Sequence, residues 1–150
     1  MRRRTIIWLV ILLAIAIVGL YAWKEYTRGN KDLANAKADI IISAVQLVKE
    51  YETSDSTANN KYLGKIIETN GIIKAVEQDE RGYYTLVIGD TSSLSSVRCS
   101  MDTTHKQDAA ALTTGASVSV RGNCTGFNKD DMGLGSDVIL NRCVIIKQKK

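Results

Sequence analysis

The residues that most often perform catalysis are sparse in this sequence of 150 residues, and their spacing matches no catalytic motif. His105 is the only histidine, so a histidine relay is unsupported, and its polar surroundings indicate a solvated loop. Gly133-Leu134-Gly135 lacks the third glycine and the preceding strand of a dinucleotide-binding motif. We therefore predict no catalytic residue, no cofactor and a protein that is not an enzyme.

One polar loop bears a partial likeness to a calcium-binding loop. Asn128, Asp130 and Gly133 match positions 1, 3 and 6 of such a loop. Met132 and Ile139 stand where oxygen ligands are required, so we interpret the loop carboxylates as solvated groups. No zinc-ligand spacing and no phosphate loop occur, and the sequence predicts no metal site.

The three cysteines fall in segments that alternate as strands do. If the last two strands form a hairpin, Cys124 lies opposite about Val138, which is too far from Cys143 for a disulfide. This register favours a Cys99–Cys143 disulfide in an oxidising compartment. Three buried free thiols are the alternative interpretation.

An uninterrupted apolar run, Ile6–Trp23, predicts a transmembrane helix, because its 18 residues rise by about 27 Å. The arginines at positions 2–4 place the N-terminus in the cytoplasm by the positive-inside rule, and the rest of the chain outside it. A cleaved signal peptide is the alternative, but no small-residue cleavage site follows the run. Residues 1–30 hold five basic residues and one acidic residue, which accounts for the net charge of +4 and leaves residues 31–150 neutral.

After this run, apolar residues recur at spacings of three and four and predict an amphipathic helix from Leu33 to Tyr51: Leu33, Ala36, Ile40, Ala44, Leu47 and Tyr51. Such a helix either packs on the open end of a barrel or acts as a stalk. The polar run Thr53–Asn60 predicts a turn, with one short helical turn capped by Ser54.

The remainder of the sequence predicts a small β-barrel whose first strand is long and kinked. Tyr62–Gln78 has the β-branched and apolar content of a strand, and Gly71 in its middle marks a bulge or bend. Turn signals separate the further predicted elements, which are the strands Tyr83–Gly89 and Ser95–Met101, the helix Lys106–Thr114, and the strands Ala116–Thr125 and Asp137–Lys147. The order β-β-β-α-β-β is that of the five-stranded OB-fold, a Greek-key barrel.

Several short segments between residues 43 and 146 carry a resemblance to a known family. They are Ala44, Leu47 and Tyr51, Ala58, the segment 61–65, Gly71, Val97-Arg98-Cys99, Leu112, Gly115, Val118 and Val120, the segment 122–126, Leu140 and Cys143. These segments resemble the tRNA-anticodon-binding-like OB-fold family. The resemblance implies an OB barrel, a kinship with nucleic-acid-binding modules and no shared enzyme chemistry. The long loop Gly126–Ser136 departs from the family pattern.

OB-folds bind ligands mainly on their second and third strands and on two flanking loops. At those places the sequence offers six candidate ligand-binding residues: Arg81, Tyr83, Tyr84, Arg98, Phe127 and Lys129. The same loops carry acidic residues, and a neutral domain attracts phosphates weakly. A nucleic-acid ligand is therefore possible but not favoured.

The sequence predicts three segments: an anchor at residues 1–29, a helix and linker at residues 30–60, and an OB-fold domain at residues 61–150. We interpret the protein as a membrane-anchored, extracytoplasmic binding module without catalytic activity. The alternatives are a single-stranded nucleic-acid-binding domain and a structural subunit of an envelope complex. The last of these would contact its partner through the Leu33–Tyr51 helix.

Overall fold

The computed structural model describes residues 13–23, 32–130 and 132–146 of the chain. They belong to two compact units, one within residues 1–31 and one within residues 32–150. Residues 13–23 are helical, and their large apolar side chains are exposed. Within the described ranges no helix is both long and apolar enough to cross a membrane, and residues 6–12 of the expected Ile6–Trp23 helix lie outside those ranges. The segment boundaries at residues 29 and 60 stay predictions.

The second unit contains the elements of the expected barrel. They are β1 (Ile40–Ser43), α1 (Ala44–Thr53), α2 (Asp55–Tyr62), β2 (Ile66–Gln78), β3 (Tyr84–Gly89), β4 (Ser96–Met101), α3 (Lys106–Ala110), β5 (Ser117–Asn128) and β6 (Asp137–Ile145). The strand order is β1-β2-β3-β4-β6-β5, and a further pairing of β2 with β5 closes strands β2 to β6 into a five-stranded barrel. The helix α3 lies between the third and fourth barrel strands. The predicted OB-fold order is therefore confirmed, with element ends shifted by up to four residues.

The long strand β2 serves both sides of the barrel. Its first half, Ile66 to Ile72, pairs antiparallel with β5, and its second half, Ile72 to Gln78, pairs antiparallel with β3. The partner therefore changes one residue after Gly71, as expected for a kinked first strand. The register shift in the pairing of β2 with β3 lies between Ile73 and Ala75 and not at Gly71, and Gly71 does not have a positive φ. A Cβ on Gly71 would lie 3.1 Å from the Cβ of Ala44, so this glycine allows α1 to approach the strand closely.

The prediction of one continuous helix from Leu33 to Tyr51 is wrong in its first half. Three consecutive β-branched residues, Ile40–Ile42, form the short strand β1, which pairs parallel with β2. The helix begins only at Ala44, because the Ser43 side chain accepts a hydrogen bond from the backbone N–H of Gln46 and caps it. The helical spacing of Leu33, Ala36 and Ile40 is thus coincidental.

Helix α1 packs on the barrel and is not a stalk. Ala44, Leu47, Val48 and Tyr51 form its buried side and join the core cluster inside the barrel. Helix α2 follows after Ser54, whose Oγ accepts from the backbone N–H of Thr57. For α1, the sequence left open whether the helix packs on the barrel or acts as a stalk, and the structure shows that it packs on the barrel.

Candidate ligand-binding face

The candidate ligand-binding face is the outer surface of β3 and β4 together with the loops 79–83 and 129–136, of which residue 131 is not described. Leu86 and Ile88 on β3 point into the core cluster. Because side chains alternate along a strand, Thr85, Val87 and Arg98 lie on the outer surface, with Val87 paired to Arg98 across the two strands. Thr85 and Arg98 are partly exposed on this surface, whereas Val87 is only 7% exposed.

Arg98 occupies the centre of the face, and its charge is already matched. Its guanidinium donates a hydrogen bond to Glu77 on β2 and lies 4.0 Å from Oδ2 of Asp137 on β6. Asp137 also accepts a hydrogen bond of 2.5 Å from the Ser96 hydroxyl. One guanidinium therefore faces two carboxylates, and the centre of the face has no unmatched positive charge.

Phe127 and Lys129 lie beside helix α1 and not on the open face. The Phe127 ring stacks on Tyr51 with centroids 4.9 Å apart and an interplanar angle of 23°. The same Tyr51 places its hydroxyl 3.3 Å from Sγ of Cys124, and burial is the main reason why its pKa is raised. Lys129 is exposed at the rim of a small cavity of about 160 Å³ that Asp55 also lines. Phe127 therefore has one ring face covered and is poorly placed to stack on a nucleic-acid base.

The remaining candidates lie at the opposite loop, between β2 and β3. The Asp79 carboxylate closes this turn by accepting from the backbone N–H groups of Arg81 (2.9 Å) and Tyr83 (2.8 Å). Arg81 is exposed, Tyr83 is 42% exposed, and Tyr84 packs against the core cluster. The Lys106 ammonium of α3 lies 5.8 Å from the centroid of the Tyr83 ring. Arg81 and Tyr83 thus share one turn, held by Asp79, and the structure adds Lys106, which the sequence interpretation did not name.

The three cysteines are free and buried. Cys124 pairs with Leu140, two residues from the predicted Val138, so it does not face Cys143 across the hairpin. Cys143 donates to the Leu140 carbonyl at 3.4 Å. Burial raises the pKa of Cys143 well above its ordinary value, and the neighbouring Cys99 thiol adds to this shift. Cys99 pairs with Leu140 and Cys143 with Met101 across β4 and β6, and the Cys99–Cys143 disulfide itself stays a prediction.

His105 and the acidic loop residues make local structural contacts. The His105 ring lies 3.2 Å from Asp32 and 3.6 Å from Asp108. Hydrogen bonding to the Ala34 backbone N–H and then to His105 lowers the pKa of Asp32. The Asp130 carboxylate accepts from backbone N–H groups of its own loop. Across the described ranges of the chain, no three His, Cys, Asp or Glu side chains are grouped as a metal site requires.

A groove with a volume of about 640 Å³ lies outside helices α1 and α2. Its lining includes Val45, which is 51% exposed, and Lys49. At its edge Glu50 accepts from Lys61 and from the Tyr62 hydroxyl, each at 2.7 Å, and these bonds lower the pKa of Glu50. The apolar side of α1 is already buried against the barrel, so this outer groove is the part of the predicted partner helix that stays accessible.

A family model described as tRNA_anti-like matches residues 1–144 of the chain. The chain belongs to the tRNA_anti-like family. The resemblance noted from the short segments is therefore confirmed over a longer range than those segments span. Family membership agrees with the closed five-stranded barrel and with a binding type of OB-fold, for which a catalytic constellation is not expected.

Solved structures are similar to this tRNA_anti-like protein at low sequence identity. A lipoprotein from Klebsiella pneumoniae, provisionally described as nucleic acid-binding, is 15% identical with a TM-score of 0.55, and the match covers 71% of this chain and 92% of that one. The Stn1–Ten1 complex of S. pombe is 20% identical with a TM-score of 0.37, covering 55% and 59%. Asparaginyl-tRNA synthetase of Entamoeba histolytica is 11% identical with a TM-score of 0.41, covering 58% and 22%. No curated protein matches the sequence.

Proposed function

We propose that this tRNA_anti-like protein is a non-catalytic binding module, anchored in a membrane by its N-terminal segment, with its barrel outside the cytoplasm. Two features support the anchor. The sequence from Ile6 to Trp23 carries no charge, and the described helical residues 13–23 expose large apolar side chains, with Leu20 and Trp23 each 73% exposed. Such a helix needs an apolar environment, which a bilayer supplies.

A protein ligand fits the barrel better than a nucleic acid, and the matched charge of Arg98 is the observation that carries this proposal. Nucleic-acid affinity depends on cations that neutralise phosphates and on exposed rings that stack on bases. At the centre of the candidate face Arg98 is bound by Glu77 and faces Asp137, and Phe127 is stacked on Tyr51. The two carboxylates outweigh the one guanidinium, so the surface around Arg98 repels phosphates, whereas its polar groups can still hydrogen-bond to a protein.

The anchor is tested with a reporter enzyme fused after Lys150. We expect activity only outside the cytoplasm and an intact N-terminus on the mature chain. As a matched control, replacement of Arg2, Arg3 and Arg4 by asparagine should reduce export of the reporter, since those charges set the orientation. A mature N-terminus between Tyr21 and Lys31 would refute the anchor, and reporter activity in the cytoplasm would refute the orientation.

The ligand class is tested by titrating the full chain in detergent with a mixed single-stranded oligonucleotide at physiological salt. We expect a Kd of about 10⁻⁴ M or weaker, as for non-specific contacts of a neutral domain. The variant that combines Glu77→Gln with Asp137→Asn frees Arg98 and should bind more tightly, with a steeper salt dependence. Micromolar binding by the wild-type chain that Arg98→Ala abolishes would overturn the protein-ligand proposal.

Single-stranded nucleic acid is the second candidate, and the loop cluster of Arg81, Tyr83 and Lys106 favours it. There the Lys106 ammonium lies 5.8 Å from the centroid of the exposed Tyr83 ring, and Arg81 is exposed in the same loop. Single-stranded nucleic-acid sites combine such rings with nearby cations. The Klebsiella lipoprotein, provisionally described as nucleic acid-binding, has the same fold. If this candidate is correct, the wild-type chain binds the oligonucleotide at micromolar strength, and Tyr83→Ala and Lys106→Ala weaken that binding at least about tenfold.

A structural role in an envelope complex would use the groove outside α1 and α2. The groove is accessible, and Val45 projects from the helix side that the barrel does not cover. In this case one membrane protein would co-purify with the wild-type chain and be lost with Val45→Lys. The matched substitution Thr91→Lys, in the exposed turn after β3, should leave that co-purification unchanged.

A further inference from the structure

The chain enters the barrel unit through a strap, which we define as residues 32–39 and which lies on the outside of β5. Leu33 within it is only 3% exposed. Arg121 of β5 binds the backbone of the strap with Nη1, which donates to the carbonyl oxygens of Leu33 and Ala34, each at 3.2 Å, and of Ala36. Its Nη2 donates at 2.8 Å to Glu68 on the adjacent strand β2. One side chain therefore joins three strap carbonyls to two barrel strands.

Both ends of the strap are also fixed to the barrel unit. At the first end, Oδ1 of Asp32 accepts from the Ala34 backbone N–H at 2.8 Å and contacts the ring of His105 at 3.2 Å. At the other end, the Asp39 backbone N–H donates to the carbonyl of Ile66 at 2.8 Å, and the Asp39 carboxylate accepts from the Ile66 backbone N–H at 2.9 Å. The strap is thus held at its middle and at both ends before the chain continues into β1.

Arg121 connects the strap to the barrel and is largely, though not fully, buried. Its side chain is 14% exposed and that of Glu68 is 19% exposed. Removing one partner of such a group leaves buried hydrogen-bonding atoms without water or protein partners, which lowers the free energy of unfolding. A guanidinium offers donors in a rigid fork, so it can bind several carbonyls and a carboxylate at once, which a lysine cannot do.

We propose that these contacts of Arg121 with the strap, the Arg121 latch, set the length of chain that links the membrane anchor to the barrel, and so limit how far from the bilayer the barrel can bind a ligand. This inference rests on the proposed anchor. With the strap docked, eight residues, 24–31, separate the described helical segment from the barrel unit, and they span at most about 29 Å. With the strap released, sixteen residues, 24–39, span at most about 58 Å. Docking of the strap therefore halves the maximum span of this linking chain, which we call its reach.

The latch is tested by hydrogen exchange of the full chain in detergent. Arg121→Met keeps the aliphatic stem but removes the donors, so the backbone amides of Ala34, Ala36 and Asp39 should exchange at least about tenfold faster. Amides of β3 and β4 should keep their protection, which separates release of the strap from global unfolding. The control Arg81→Met changes an exposed loop arginine and should change neither set. Unchanged exchange at the strap, or equal loss of protection in strap and barrel, would overturn the latch.

The reach is tested in vesicles with a donor dye on Thr91→Cys, in an exposed turn, and acceptor dyes on lipid headgroups. Arg121→Met should lower the energy-transfer efficiency toward the value of a variant with eight Gly/Ser residues inserted after Lys31. Equal efficiency in Arg121→Met and wild-type chains, with a lower value for the insertion variant, would overturn the inference. Failure of the wild-type chain to sediment with vesicles would instead refute the anchor, so the two failures are distinguishable.

Discussion

Replacing Gly71 tests whether helix α1 approaches strand β2 as closely as the barrel requires. The backbone at Gly71 is not in the left-handed region, so a side chain there meets no intrinsic conformational penalty. The obstacle is space, because a Cβ at this position would lie 3.1 Å from the Cβ of Ala44 and 3.5 Å from the backbone nitrogen of Gly89. Helix α1 would have to move by a few tenths of an ångström to relieve the contact.

The magnitude follows from two opposing effects. Alanine reduces the conformational freedom of the unfolded chain, which stabilises the fold by about 0.4–1 kcal/mol where the backbone is compatible. Overpacking against Ala44 opposes this with about 1–3 kcal/mol. We therefore expect Gly71→Ala to lower the free energy of unfolding by about 1 kcal/mol. Gly71→Val should lower it by about 1–3 kcal/mol, since the branched side chain adds two more methyl groups to the same space.

Urea denaturation of the single and double variants separates packing from strand geometry. In an Ala44→Gly background the opposing Cβ is absent, so Gly71→Ala should become neutral or stabilising, with a coupling energy of about 1 kcal/mol. Asn70→Val, at the exposed neighbouring position, controls for the change of side chain in this strand and should stay within about 0.5 kcal/mol of wild type. An equal loss of stability for Gly71→Ala in both backgrounds would refute the packing explanation. An unchanged stability of Gly71→Val would refute the close approach itself.

Three further substitutions test other features of the barrel. Thr69 is fully buried, and its Oγ1 has no hydrogen-bond partner among the described residues. Thr69→Val should therefore raise the free energy of unfolding, measured in urea, by about 1 kcal/mol. A decrease in that free energy would show that the hydroxyl is hydrogen-bonded. A Cβ on Gly122 would lie 2.5 Å from Sγ of Cys143, so Gly122→Ala should lower the free energy of unfolding by about 1–3 kcal/mol. Adding Cys143→Ala should restore part of this stability. If it restores none, the clash lies elsewhere. Burial raises the pKa of Tyr51 above its ordinary value of 10.0, so the stability tied to its protonated hydroxyl is complete below about pH 10 and falls as the pH rises further. Tyr51→Phe should therefore flatten the fall in melting temperature above pH 10, and an unchanged slope would contradict this assignment.

The barrel strands could be predicted from the sequence because each is a local pattern. Alternation of β-branched residues and glycine-containing turns mark β2 to β6, and the helix between the third and fourth barrel strands follows from its composition. The short strand β1 could not be predicted in this way. The spacing of Leu33, Ala36 and Ile40 imitates a helix, and only the parallel pairing of β1 with β2 decides the conformation of Ile40–Ser43. Tertiary pairing here overrides the local pattern.

The candidate face depends on strand register, which the sequence does not determine. Arg98 could be named from its place on the third barrel strand, but its two carboxylate neighbours come from β2 and β6. Lys106 could be placed near Tyr83 only after α3 had been positioned against β3. Phe127 is covered by Tyr51, because α1 packs on the barrel instead of standing apart from it. The sequence shows each of these residues, but it does not show which other residues the fold brings into contact with them.

Two outward-facing arginines, Arg98 and Arg121, show how the barrel distributes its positive charge. Arg121 is 14% exposed and is bound by Glu68 and by carbonyls of its own chain, while Arg98 is 34% exposed and lies between two carboxylates. Neither guanidinium is left to attract an anion, although arginine is the residue best suited to bind phosphate. Around Arg98, a ligand must therefore be recognised by shape and by uncharged hydrogen bonds, or must displace Glu77 from Arg98 with a carboxylate of its own. Both routes are open to a protein partner, whereas a polyphosphate chain would also have to approach Glu77 and Asp137.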